Sequence, residues 1–165
     1  DSCMGVKVAP DKRKFVGMDR YANVYAVLSY PLPAIVVDIG TAITFDIISK
    51  DKTFLGGAIM PGINMSLHSL YKETSKLPLI KAGESKMAIG NSTESAILAG
   101  VIRGTASAID GLISQSIEEL GEKATIIVTG GQYAILSNYM KTKIEKFDSN
   151  LTLVGVKKIF NESTY

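Results

Sequence analysis

The sequence predicts an α/β domain in which three antiparallel strands are followed by alternating helices and strands. Three observations carry that reading. Apolar runs at Ala34–Ile39, Ala42–Ile48 and Thr53–Met60 are joined by Gly40-Thr41 and by residues 49–52, links short enough to demand hairpins. A long helical segment starts near Asn91 and stops at Gly121. A further apolar run, Ala124–Thr129, ends in Gly130-Gly131 and passes into a helical pattern.

Each element has its own signal. Residues 6–9 suit a short strand. Asp19–Ser29 reads as a helix closed by Pro31 and Pro33. Pro61-Gly62 ends the third strand, and Ile63–Glu73 has apolar residues at 63, 67 and 70, a helical spacing. Residues 75–90 show no period. Asn91 with Glu94 is the expected N-cap of the long helix, which runs to about Leu120, with Gly121 as C-cap. Within it Gly100, Gly104 and Gly111 lie near one stripe, which implies close approach of another backbone in the core or at a subunit contact. Gln132–Lys141 reads as a helix, Leu151–Val154 as a last strand, and a short helix follows to about Asn161. Three antiparallel strands, helix, strand, helix, strand, helix is the order of a ribonuclease-H-like lobe, the unit doubled in the actin-like ATPase superfamily.

Composition narrows the function. The chain has 165 residues, enough for one domain or one lobe of something larger. With 46% hydrophobic and 21% charged residues it falls among globular chains, away from disordered, collagenous or coiled-coil ones. No uninterrupted apolar run approaches the ~20 residues of a membrane span, so no membrane partner is expected. Eighteen basic residues against 16 acidic ones are scattered, with Lys12-Arg13-Lys14 the tightest cluster, so no nucleic-acid partner is expected. A single Cys, Cys3, excludes an intramolecular disulfide, and the single His, His68, excludes a His-rich metal centre. Any divalent cation must then rest on carboxylates, backbone and substrate phosphates, which suits Mg²⁺. Asp1–Gly5 has no signal-peptide pattern, and a cytoplasmic location is expected. The chain opens without Met on what reads as mid-domain sequence, so a fragment of a longer protein is expected.

Four segments carry chemistry. Asp38-Ile39-Gly40-Thr41 lies on the first hairpin: Gly40 lets backbone N–H groups approach a phosphate, the Thr41 hydroxyl can donate to it, and Asp38 can hold a cation. The same residues are also ordinary in hairpin turns, and Asp46 reads as mainly structural. Thr129-Gly130-Gly131 opens a helix in a way that admits a nucleotide. Gly56-Gly57 inside a strand marks a bulge or close approach. Gly17-Met18-Asp19-Arg20 starts a helix; Asp19 is a candidate general base and Arg20 a candidate carboxylate or phosphate partner. His68 reads as a surface or interface residue, and Tyr21 and Tyr25 as packing residues.

Taken together, GMDRYAN (17–23), DIGTAITFDI (38–47), FLGGAIMPGINM (54–65), Leu77-Pro78, IGNSTESAILAGV (89–101), IDGLI (109–113) and VTGG (128–131) resemble the type III pantothenate kinase family, over about residues 5–160. The resemblance implies phosphorylation of pantothenate by ATP with Mg²⁺, the first step of coenzyme A synthesis. It also implies a homodimer of two-lobed subunits and a monovalent cation, K⁺ or NH₄⁺. It implies Asp19 as proton acceptor, and Gly17, Met18, Asp19 and Arg20 as the pantothenate-binding segment. Asp38 becomes the monovalent-cation ligand and Thr41, with Gly40, an ATP contact; Gly130 and Gly131 line the nucleotide, and Thr93 is a pantothenate contact near the subunit interface. The family's Asp-x-Gly-Asn-Thr motif, borne by an N-terminal lobe, does not occur here. Residues 1–33 are therefore expected to be an inter-lobe segment with the catalytic helix, and 34–165 the C-terminal lobe, inactive by itself. The family's aromatic residue before the catalytic Asp would fall near Pro10. An alternative is an inactive binding or transcription-accessory protein of the same fold; a sugar kinase is disfavoured because no Asn-Asp sugar pair or zinc motif is present.

Overall fold

The computed structural model describes residues 2–3, 5–8 and 16–163, so Pro10 and the Lys12–Lys14 cluster lie outside the described residues. In chain order the elements are β1 (Ser2–Cys3), β2 (Val6–Val8), α1 (Met18–Val27), β3 (Ala34–Ile39), β4 (Ala42–Ile48), β5 (Thr53–Gly56), β6 (Ile59–Pro61) and α2 (Ile63–Glu73). Then come α3 (Thr93–Leu98), a π-helical segment Ala99–Arg103, α4 (Gly104–Leu120), β7 (Thr125–Thr129), α5 (Tyr133–Leu136), β8 (Lys146–Phe147) and α6 (Leu151–Ser163).

One sheet runs β1-β2-β5-β4-β3-β7-β8, with β6 also on β4. β3 and β4 pair antiparallel from Ala34 opposite Ile48 to Ile39 opposite Ile43. β7 lies parallel to β3 on its other side, and β8 parallel to β7. This is the ribonuclease-H-like arrangement the element order predicts. β2 adds a parallel strand beside β5, so residues before α1 also belong to this sheet.

The pleat sorts the strands' side chains. Ile35, Val37, Ile39, Ile43, Phe45 and Ile47 pack under Ile63 and Leu67 of α2 and Ile102, Ile109 and Ile113 of the long helix. Ala34, Val36, Ile48 and Phe54 face Val24 and Val27 of α1 and Leu151 of α6. By the same alternation Asp38 and Asp46 point to the α1 side.

Four expectations are corrected. The run 53–60 splits into β5 and β6 because Gly56 has φ +114° and Gly57 lies so close to β4 that a Cβ would collide with the Phe45 carbonyl. Pairing resumes where the Phe45 N–H donates to Ala58 O at 2.8 Å. The N-cap of α3 is Ser92, not Asn91: its Oγ accepts from the Ser95 N–H at 3.2 Å, and the Ser95 Oγ accepts from the Ser92 N–H at 2.9 Å. The helix expected over 132–141 stops at Leu136. Farther on, Asp110 of α4 takes the N–H groups of Lys141 and Thr142 at 2.8 and 2.9 Å and holds the chain in an irregular path. Leu151–Val154 is the start of α6, and the last strand is Lys146–Phe147, whose Phe147 ring stacks on Tyr133 at 4.6 Å. The short strand expected at 6–9 is present as Val6–Val8.

The α6 helix owes its place to a small residue. At Gly155 a Cβ would collide with the Ala22 carbonyl of α1, so the two helices cross with backbones almost touching. The glycines of the long helix behave differently. Gly100, Gly104 and Gly111 each have open space where a Cβ would stand, so the expected close backbone approach is not made among the described residues. Gly111→Ala is therefore expected to stabilise this chain by about 0.5–1 kcal/mol, through the lost chain entropy of glycine alone. A urea midpoint at unchanged m value checks it.

Thr93–Leu120 is long and apolar enough to cross a membrane by length and composition. Its Ile97, Val101, Ile102, Ile109 and Ile113 are buried against the sheet, the pattern of a core helix. Residues between α2 and α3 are irregular, as expected. Arg103 fastens them, donating to Ser85 Oγ at 3.1 Å and Ser85 O at 2.8 Å while lying over the Tyr139 ring.

Candidate active site

Three glycine segments far apart in sequence meet at the end of β3. The Gly40 N–H donates to Ala42 O at 3.1 Å and closes a tight turn that leaves Thr41 exposed. The Gly62 N–H donates to Thr41 O at 3.0 Å, and a Cβ on Gly62 would strike the carbonyls of Gly40 and Thr41. Gly130, at φ +98°, lies against the Ile39 backbone, where a side chain would collide. The Gln132 N–H donates to Ile39 O at 3.0 Å, and the Gln132 side-chain oxygen accepts from the Ile63 N–H at 3.3 Å. Gly131 has open space around it. The turn, Pro61-Gly62 and the Gly130-Gly131 corner thus form one backbone surface with little side-chain cover. Such a surface admits a phosphate-bearing ligand to main-chain N–H groups.

The first turns of α1 lie across the other side of β3 and β4. Gly17 is the N-cap, and a Cβ there would press on the Asp19 carboxylate, which is exposed beside the helix N-terminus. Arg20 turns inward. Its Nε and Nη2 both approach Asp46 Oδ1 at 2.7 Å, and Nη2 donates to Phe45 O at 3.0 Å. The guanidinium also lies 5.7 Å from the Phe54 ring centre. These donors are committed inside the chain, so the arginine ties α1 to β4 rather than reaching out with its whole fork. Asn23, one turn on, is 1% exposed and donates from Nδ2 to Asp38 Oδ2 at 3.1 Å.

Burial raises the pKa of Asp38; the Asn23 hydrogen bond opposes that, and the charge of Asp19 adds to it. Burial pushes Asp46 up to about 7, against the charge and hydrogen bonds of Arg20 and with help from Asp19 and Asp38. The geometry agrees: Asp46 is fully buried and its Oδ2 has no hydrogen-bond partner, which favours a proton there. An acid with a raised folded-state pKa binds more protons folded than unfolded between its two pKa values. Its contribution to stability is thus full below about 4 and lost as pH rises to about 7. Asp46→Asn is expected to flatten that part of the pH–stability curve, measured as urea midpoints from pH 4 to 8; an unchanged slope would contradict the assignment.

The structure therefore brings Asp19, Asp38, Gly40, Thr41, Gly130 and Gly131 to one end of the sheet. It does not bring Thr93 there. Thr93 is the first residue of α3, exposed, in a groove with Leu70, Leu77 and Ile97 on the opposite side of the sheet from α1. His68 is exposed on α2, and Tyr25 is buried, as read from the sequence. Among the described residues no group of three or more His, Cys, Asp or Glu is placed to hold a metal. Asn23 was not singled out by the motifs. Its only signal was a polar residue one turn after Asp19 in a helix otherwise buried along its second half.

The sequence pattern of the type III pantothenate kinase family matches residues 1–115. A type III pantothenate kinase of Caulobacter vibrioides is 40% identical over 164 residues, 98% of this chain and 62% of its own length. One of Desulfatibacillum aliphaticivorans is 39% identical over 96% of this chain and 62% of its own length. This chain thus spans just under two thirds of those curated relatives. Among solved structures, a protein described as a Baf family transcriptional activator from Campylobacter jejuni superposes with TM-score 0.68 at 28% identity, over 97% of this chain and 70% of that one. A xylulose kinase from Rhodospirillum rubrum, at TM-score 0.52 and 11% identity, covers 86% of this chain and 40% of its own, and shares the fold.

Proposed function

This chain belongs to the type III pantothenate kinase family, and from that premise we propose that the protein transfers the γ-phosphoryl group of ATP to the hydroxyl of pantothenate, opening coenzyme A synthesis in the cytoplasm. The observation that carries the proposal is the position of Asp19. α1 holds this exposed carboxylate one turn before Asn23, whose Nδ2 donates at 3.1 Å to Asp38, two residues before the Gly40-Thr41 turn.

Phosphoryl transfer asks a protein mainly for positioning and charge stabilisation. Asp19 accepts the proton of the attacking hydroxyl. Gly17, Met18 and Arg20 frame the pantothenate beside it. The Thr41 N–H and hydroxyl donate to phosphate oxygens, while the Gly40 N–H closes the turn on Ala42 O. Gly130 and Gly131 give the nucleoside a surface without side chains. The Asp38 carboxylate fits a cation: it is half-buried, Asn23 engages its Oδ2, and its Oδ1 lies toward Gly40. A monovalent cation held there, with Mg²⁺ on the nucleotide, would supply positive charge against the phosphates.

Thr93 faces away from this site in its own chain, so we assign it to the pantothenate pocket of a second copy in a homodimer. The open Gly100 and Gly104 on the same long helix support such a contact. The reading needs no nucleic-acid or membrane partner. Mixing tests it. Asp19→Asn and Thr93→Ala subunits, each impaired as the intact protein, are expected to regain about a quarter of wild-type turnover when mixed and re-equilibrated, because half the dimers then carry one intact site. No recovery, with subunit exchange shown by native mass spectrometry, would remove Thr93 from the partner's site.

A further inference from the structure

We propose that Thr152 and Asn23 are positioning residues which hold the Asp38 carboxylate in place, so that α6 takes part in the site. The inference rests on the reading of Asp38 as a site residue given above, but its geometry stands apart from any substrate. Thr152 lies in the first turn of α6 and donates from Oγ1 to Asn23 Oδ1 at 2.7 Å. Asn23 Nδ2 in turn donates to Asp38 Oδ2 at 3.1 Å. The three residues form one line from α6 through α1 to β3, across a separation of 129 positions in the chain.

The donor and acceptor directions are forced. An ionised carboxylate only accepts, so Asn23 must present its NH₂ to Asp38. That leaves the amide oxygen for Thr152, whose hydroxyl must then donate. Without the threonine hydroxyl the amide oxygen would be left buried with no donor, and nothing would oppose rotation of the amide away from Asp38. Asn23 is 1% exposed, so no bulk water replaces the lost partner. The close crossing at Gly155 and Ala22 fixes the distance over which the line is drawn. Other charged groups near it are Asp19, Asp46 and Arg20 on the α1 side of the sheet. From α6, Lys158 reaches instead to Ala26 O at 3.4 Å and Ser29 Oγ at 3.2 Å.

The test uses Thr152→Val, which keeps the shape and removes the donor, and Thr152→Ser, which restores it, both in the intact protein. Two readouts are taken. The first is the Asn23 side-chain NH₂ pair in ¹⁵N-correlated NMR spectra, slow to exchange with solvent in the wild type. Thr152→Val should make it exchange at least tenfold faster, and Thr152→Ser should return it toward the wild type. The second is turnover: Thr152→Val should lower kcat by about 10- to 100-fold, the usual cost of losing a group that orients a ligand residue. KM for pantothenate should stay within about twofold, since Thr152 touches no part of that pocket, and Thr152→Ser should recover most of the rate.

Unchanged NH₂ exchange in Thr152→Val would overturn the relay. So would a rate loss that the serine variant fails to rescue at equal thermal stability. If the wild type itself does not phosphorylate pantothenate, the functional reading fails, and the NMR readout alone decides for or against the relay.

Discussion

Asp19→Asn is expected to lower kcat for pantothenate phosphorylation by about 10²- to 10⁴-fold, the range for loss of a positioned general base. The amide keeps the size and one acceptor oxygen but cannot take up the proton at neutral pH. KM for both substrates should change little, because the hydrogen bonds that position the hydroxyl largely survive. Thermal stability should also change little. Asp19 is exposed at the first turn of α1, and its favourable interaction with the helix dipole is worth about 0.3–1 kcal/mol. The same substitution also removes one negative charge near Asp38 and Asp46, which should lower the pKa of both. Steady-state kinetics with a thermal melt on the same sample checks the prediction. A variant with wild-type turnover would place the base elsewhere.

The second large effect is structural. Gly155→Ala should destabilise the protein by about 3 kcal/mol, the upper end for forcing extra atoms into a packed interior. The obstruction is the Ala22 carbonyl, part of a backbone rather than a side chain that could swing aside. Relief requires α6 to move off α1, and α1 is buried from Ala22 to Val27. For a domain of this size the melting temperature should fall by about 10 °C. The shift should also stretch the Thr152–Asn23 bond, so turnover should drop along with stability. Gly111→Ala, in open space, is the matched control with the opposite sign. If Gly155→Ala is as stable as the wild type, α6 does not pack where the structure puts it.

Local pattern made some elements legible and left others hidden. Ala34–Ile39 and Ala42–Ile48 follow from near-continuous apolar runs and a two-residue turn, and Ile63–Glu73 from apolar spacing after Pro61-Gly62. These signals are short-range, and the structure keeps their boundaries. Leu151–Val154 misled because three apolar residues around Thr152 suit a strand or a helix equally. What decides is Gly155 against Ala22, a contact between distant segments. The helix expected after Gly130-Gly131 stops at Leu136, and the irregular path beyond it is held at Lys141 and Thr142 by Asp110, about thirty residues upstream, a contact no local pattern shows.

The site divides in the same way. Asp38, Gly40, Thr41, Gly130 and Gly131 were readable because glycines at strand ends have few other uses together. Asp19 was readable from its helix start. The inward turn of Arg20 onto Asp46 was not, since it depends on β4 lying beneath α1. Nor was the Thr152–Asn23–Asp38 line, which exists only once α6 has crossed α1.

The most direct test is a single reaction. The intact protein is incubated with ATP, Mg²⁺, K⁺ and pantothenate, ADP is followed by a coupled assay, and the product by ³¹P NMR. The expected result is ADP formation that requires pantothenate and a new phosphomonoester resonance of equal amount. Folded protein that releases no pantothenate-dependent ADP and forms no such ester would contradict it.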